Sequence, residues 1–183
     1  MRFSPVVVGA LALVTGACGS SPVAPDPVAA IPAGTHRSAI VALIGTGSGG
    51  VSVTPKSIAA ATFAADISVN IEKARTNTTY IVQRAPEIGR ALGSDGICQR
   101  AAALSPWSAA DPAAPAFITF QMPNAGSNVT MTTSATGSAS ISFEFFAPMI
   151  STGTLFDVMF RLVDNESAPT TELRSGCFTV LVK

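Results

Sequence analysis

Apolar and polar side chains alternate along several stretches of this chain, and the alternation predicts β-strands with one buried face. The longest stretch covers residues 63–72, where every odd position is apolar and most even positions are polar. The same period recurs over residues 138–145, 155–162 and 177–182. Successive side chains of a strand point to opposite faces of its sheet, so each stretch is expected to bury one face and expose the other.

Shorter apolar runs bring the expected number of strands to about nine. Glycine, proline, asparagine and serine separate the runs and mark turns. The glycine-rich residues 45–50 precede a strand and lack the lysine of a phosphate-binding loop, so a tight hairpin turn is predicted there. The pattern predicts one all-β domain, an antiparallel β-sandwich over residues 36–183. The shorter runs cover residues 38–44, 51–54, 78–84, 116–122 and 128–133.

Charge and composition disfavour several classes of function. The 183 residues carry eleven basic and eleven acidic side chains, and only 12% are charged, which disfavours binding to a nucleic-acid backbone. With His36 as the single histidine, the chain lacks the ligands of a zinc or copper site. Asp157, Asp164 and Glu166 are close in sequence but lack the spacing of a calcium loop. We therefore expect no metal and no cofactor.

The sequence also predicts that the protein is not an enzyme. It has no nucleophile-elbow motif, and any catalytic triad would depend on His36. The alternative is an enzyme that uses carboxylates alone, which requires two acids to converge in a cleft.

The first eighteen residues have the pattern of an export signal. Arg2 supplies a positive start, residues 6–14 are apolar but too short to span a bilayer as a helix, and small residues follow. With Cys18, this segment resembles the lipobox signal of bacterial lipoproteins, with Thr15 where leucine is usual. The resemblance implies that residues 1–17 are a signal peptide and that Cys18 carries a lipid. The alternative is an ordinary secretory signal that is cut nearby.

Residues 18–35 are predicted to form a flexible tether between the lipid and the domain. Prolines and small residues fill this stretch, and such a composition favours a semi-extended chain. In bacterial lipoproteins, a glycine directly after the lipidated cysteine, here Gly19, usually accompanies export to the outer membrane. The resemblance therefore implies an exported protein that is lipid-anchored to the bacterial envelope, at the outer membrane.

The remaining cysteines fit an oxidising compartment. With Cys18 lipidated, Cys98 and Cys177 are left, and two cysteines in an exported domain most simply form one disulfide. The alternative is a pair of buried free thiols.

Residues 74–85 carry an alternating pattern around the single tyrosine. Thr78, Tyr80 and Val82 lie two residues apart, with Ala74 and Thr76 before them. This stretch resembles the tyrosine corner of fibronectin type III domains, although that family has leucine and proline where Ala74 and Thr76 stand. The resemblance implies an immunoglobulin-like sandwich and a structural role for Tyr80, whose hydroxyl in that family bonds back to the backbone. A tyrosine half-buried on any strand is the alternative.

These features predict a non-enzymatic accessory or interaction domain at the cell envelope. Its expected partners are the membrane, through the lipid on Cys18, and an envelope protein, with no nucleic acid. The alternative function is a carbohydrate-binding module for an envelope polysaccharide, in which Trp107 and Tyr80 form the stacking surface. Trp107 lies in a stretch rich in proline and alanine, and it is otherwise expected to fold back over one end of the sandwich.

Overall fold

The computed structural model describes residues 34–58, 62–89, 92–99, 117–122 and 125–183. These residues are organised as ten β-strands, one more than the sequence predicts. In chain order, the strands are β1 (His36–Ile44), β2 (Ser48–Lys56), β3 (Thr62–Glu72), β4 (Thr79–Pro86), β5 (Ile118–Thr119), β6 (Thr130–Thr132), β7 (Ala139–Pro148), β8 (Leu155–Val163), β9 (Glu172–Ser175) and β10 (Phe178–Leu181).

All ten strands pair antiparallel within one sheet. The order across the sheet is β5-β4-β8-β9-β1-β2-β3-β7, with β10 paired to β8 and β6 paired to β4. The sheet curls into a half-barrel. The prediction of an antiparallel all-β fold is therefore confirmed. Among the described residues, no helix is long and apolar enough to cross a membrane.

The core lies on the inner face of the curled sheet. Phe63, Ile67 and the other odd-numbered residues of β3 are buried, as the alternation predicts. The ring of Phe63 packs edge-to-face against Phe145 of β7 and Phe156 of β8, with centroid distances of 6.3 and 5.4 Å. The ring of Phe63 thus reaches across the inner face of the curled sheet to β8, while strand pairing runs without a break from β5 to β7.

The glycine-rich segment forms the predicted hairpin turn, which joins β1 to β2. Gly47 has a φ of +135°, and a Cβ atom there would lie 2.8 Å from the side chain of Leu173. Gly49 lies so close to β3 that a Cβ atom would approach the carbonyl oxygen of Asn70 to 2.0 Å. Both positions therefore require glycine, because any other side chain would clash or strain the backbone.

A smaller apolar cluster lies on the outer face of β4 and β8. It contains the predicted disulfide between Cys98 and Cys177, which the structure confirms, with Cα atoms 5.4 Å apart. Ala85, Phe117 and Met159 pack with the disulfide. The bridge ties the segment that follows β4 to the junction of β9 and β10.

Candidate functional site

A charged side chain occupies a core-facing position of β4. Tyr80, Val82 and Arg84 lie on the same face of the strand because they are two residues apart, and Tyr80 and Val82 are fully buried in the core. Arg84 therefore points to the inner face of the sheet, where the side chains around it are almost all apolar. Burying a charge is costly unless the charge is paired.

The guanidinium of Arg84 lies over two phenyl rings. Its Cζ atom is 4.5 Å from the ring centroid of Phe120 and 4.3 Å from that of Phe145. These cation–π contacts stabilise the charge in part. Within the described part of the chain, no carboxylate lies within ion-pair distance of Arg84. Burial lowers the pKa of Arg84 to about 10, so the group is still charged at neutral pH.

Two spaces border both Arg84 and Phe145. The inner cavity, of about 70 Å³, lies inside the curled sheet, and Arg84 is its charged lining residue. The outer pocket, of about 400 Å³, lies between β5 and β7. Arg84 thus stands where an apolar interior meets a more polar entrance. The outer pocket is also lined by Ile118, Thr119, Gln121, Glu144 and Phe146.

The acids at the outer pocket already have partners. Glu144 accepts a hydrogen bond from Nζ of Lys56 at 2.5 Å, and the same amine lies 2.6 Å from Asp66. Glu166 accepts a hydrogen bond from the hydroxyl of Thr119 at 2.5 Å. Among the described residues that line this pocket, the guanidinium is consequently the charged group without a counter-ion.

A separate charged cluster, on the outer face of the sheet, contains its own ion pairs. Glu172 is completely buried and accepts hydrogen bonds from Arg161 at 3.0 Å and from Arg174 at 2.5 Å. The ring centroid of Phe117 lies 5.1 and 5.0 Å from the guanidinium carbons of these two arginines. Opposite charges meet here, so the cluster joins β8 to β9 and differs in kind from Arg84.

The structure places Tyr80 in the core. Its side chain is 0% exposed, and its hydroxyl lies 3.1 Å from the hydroxyl of Thr171. The ring presents no exposed face on which a sugar could stack, and its contacts are those of a structural residue. The bond joins two side chains, whereas the fibronectin resemblance implies a bond to the backbone. Trp107 and Cys18 lie outside the described residues.

The three acids considered for calcium have separate structural contacts. Asp157 is fully buried and accepts hydrogen bonds from the N–H of Gly96 at 2.8 Å and from the hydroxyl of Thr179 at 2.5 Å. Asp164 accepts hydrogen bonds from backbone N–H groups just before β9, and Glu166 is bonded to β5. In the described ranges, no three His, Cys, Asp or Glu side chains are grouped to hold a metal ion.

Arg84 is not among the predicted site residues, although the sequence holds a signal for it. The alternation of Tyr80 and Val82 continues to Arg84 and so predicts a charge on the core face of the strand. Phe120 and Phe145 carry no comparable signal, because only the folded sheet brings them to Arg84.

No protein-family model, curated protein or solved structure matches this chain.

Proposed function

We propose that this chain is a non-enzymatic binding domain whose ligand presents a carboxylate beside a small apolar group. One observation carries the proposal: the half-buried guanidinium of Arg84 has no acidic partner among the described residues and stands between an apolar cavity and an outer pocket. The planar guanidinium fits a carboxylate, with which it forms two parallel hydrogen bonds. A bound carboxylate would supply the missing negative charge.

The dimensions of the two spaces define the rest of the ligand. The inner cavity of about 70 Å³ has room for two or three carbon atoms, if each takes the roughly 30 Å³ that a water molecule occupies. The outer pocket of about 400 Å³ is within the usual range for small-ligand sites. The ligand therefore combines a short aliphatic group, in the inner cavity, with a carboxylate at Arg84.

The charges at the entrance favour a single negative charge on the ligand. Lys56 is shared by Asp66 and Glu144, so these three side chains carry one net negative charge, and Glu166 beside Thr119 adds a second. A phosphate dianion brings two negative charges, and Arg84 neutralises only one of them next to these acids. A monocarboxylate brings one negative charge, which Arg84 neutralises by itself.

Calorimetric titration with N-acetyl-valine tests the proposal, because this acid carries one carboxylate beside an isopropyl group. We expect saturable binding, no binding of N-acetyl-valinamide, and a loss of about tenfold or more in the Arg84→Met variant. Arg84→Lys keeps the positive charge but lacks the planar, forked guanidinium, so its affinity is expected to lie between those of the wild type and Arg84→Met. Arg37→Met, on an exposed arginine of β1, is the matched control. Equal affinity of the wild type and Arg84→Met would overturn the proposal.

The location and the finer fold belong to the same proposal. The leader and the tether support an exported domain that is held at the bacterial envelope, at the outer membrane, by a lipid on Cys18. The contact of Phe63 in β3 with Phe156 in β8, across the curled sheet, supports an immunoglobulin-like sandwich. An interaction domain at the envelope, with a protein partner, is the role that agrees with these features.

A further inference from the structure

We infer that the ligand of the Arg84 site is the carboxyl terminus of a polypeptide, which adds to the sheet as a strand along the edge of β7. The inference rests on the proposed function and names the source of the carboxylate. A chain terminus offers a carboxylate, an adjacent side chain and a row of main-chain amides in one extended unit, and strand addition and terminal-carboxylate capture are both established modes of peptide recognition.

The edge of β7 provides the main-chain groups for such a strand. β7 pairs with β3 along its whole length, from Ala139 to Pro148. None of the described residues pairs with its other edge. The outer pocket lies on that side, with Glu144, Phe145 and Phe146 of β7 forming one wall. An edge strand of this length presents a row of N–H and C=O groups to an added strand.

The side chains at the outer pocket fit a polypeptide better than a small acid. Phe146 is 45% exposed and Ile118 is 37% exposed, so large apolar surfaces flank the pocket on both sides. The pocket volume of about 400 Å³ holds roughly a dozen non-hydrogen atoms, or about two residues of extended chain. A small acid would use Arg84 and the inner cavity and would leave most of this pocket unfilled.

The inner cavity selects the last side chain of the peptide. Its volume of about 70 Å³ accommodates the three carbons of a valine side chain, while an aromatic ring is too large. With the terminal carboxylate on Arg84, the side chain of the same residue lies next to the cavity that Arg84 borders. We therefore assign the site to a terminus that ends in valine or a residue of similar size.

Binding of acetylated pentapeptides to the mature chain tests the inference. A peptide that ends in valine with a free carboxylate is expected to bind at least tenfold more tightly than N-acetyl-valine, because its upstream amides pair with β7. Amidation of the terminus or replacement of the valine by glycine is expected to cost about tenfold or more. N-methylation of successive amides should weaken binding at alternate residues, as a strand edge requires.

Two variants of β7 test the placement of the last side chain. Ala147 lines the inner cavity, so Ala147→Leu is expected to fill it and to weaken binding of the valine peptide at least tenfold. Ala139→Leu, on the same face of β7 but away from both spaces, is the matched control and should leave the affinity unchanged. Equal loss in both variants would contradict the assignment of the cavity.

The outcomes separate the two proposals. The inference is wrong if N-acetyl-valine binds as tightly as the pentapeptide, or if the amidated and free peptides bind equally. In either case the proposed carboxylate site is tested by the binding of N-acetyl-valine alone. If neither N-acetyl-valine nor the free peptide binds, the proposed function itself fails.

Discussion

Replacing Arg84 by methionine is expected to make the protein more stable, although it removes the guanidinium that we propose binds the ligand. Methionine has a similar reach, no charge and a thioether that packs well against aromatic rings, here Phe120 and Phe145. The substitution therefore keeps most of the apolar contacts and removes a half-buried charge without an acidic partner among the described residues. Replacing buried charges by apolar side chains of similar volume is often neutral or stabilising.

The pKa of Arg84 gives the size of the effect. Its fall from 12.5 to about 10 corresponds to a penalty on the charged form of roughly 3 kcal/mol. At pH 7 the guanidinium is charged in the folded and the unfolded chain, so the penalty is fully present; it is relieved only as the pH rises through about 10. The two ring contacts offset about 1–2 kcal/mol of it. The expected gain is about 1–2 kcal/mol, or about 2–8 °C in Tm for a chain of this size.

Thermal unfolding followed by circular dichroism at pH 7 measures this gain, with the disulfide intact in every sample. Arg37→Met is the control, since Arg37 is exposed and its replacement should shift Tm by little. A Tm of Arg84→Met below that of the wild type would refute the reasoning, because it would mean that the guanidinium stabilises the ligand-free fold. A higher Tm together with lost binding would show a group kept for function at the expense of stability.

Four other perturbations have defined outcomes. Glu172→Gln removes the buried carboxylate that Arg161 and Arg174 share and should lower the free energy of unfolding by about 3–5 kcal/mol in a urea titration; an unchanged midpoint would contradict this. Replacing Cys98 and Cys177 by alanine removes a cross-link between residues 79 positions apart and should lower the free energy of unfolding by about 4 kcal/mol. Reduction of the disulfide in the wild type should lower it by a similar amount. Asp157→Asn weakens the hydrogen bond that residue 157 accepts from the N–H of Gly96. It should lower the free energy of unfolding by about 1–3 kcal/mol and speed proteolysis at residues 92–98. Cys18→Ser should move the protein from the membrane to the soluble fraction and abolish palmitate labelling; retention at the membrane would refute the lipid anchor.

Local patterns predict the long strands of this fold well. The alternation over residues 63–72 becomes β3, Thr62–Glu72, and the alternation over residues 138–145 becomes most of β7. A period of two follows from the geometry of a single strand, so it can be detected without knowledge of the partner strands. The pairing of Cys98 with Cys177 is equally accessible, because only two cysteines are left once Cys18 is assigned to the lipid.

The alternation of apolar and polar positions does not predict strands that bury polar residues. β9 is not predicted, because Glu172 and Arg174 give its sequence the polarity of a surface segment. Glu172 is buried only because Arg161 of β8 and Arg174 pair with its carboxylate. The predicted strand over residues 116–122 is reduced to β5, Ile118–Thr119. The candidate site is harder still, since the rings that contact Arg84 come from residues 36 and 61 positions further along the chain.

The outer-face cluster around the disulfide affects where this chain can accept inserted residues. Cys98 and Phe117 stand at the two ends of residues 99–116, and both belong to that cluster. The ends of the segment are therefore fixed to one place on the sheet, independently of its sequence. Since the entropy of closing a loop grows only with the logarithm of its length, doubling it costs about 0.6 kcal/mol. Added residues within positions 99–116, which include Trp107, are thus expected to cost the sheet little free energy and to leave its strand pairing unchanged.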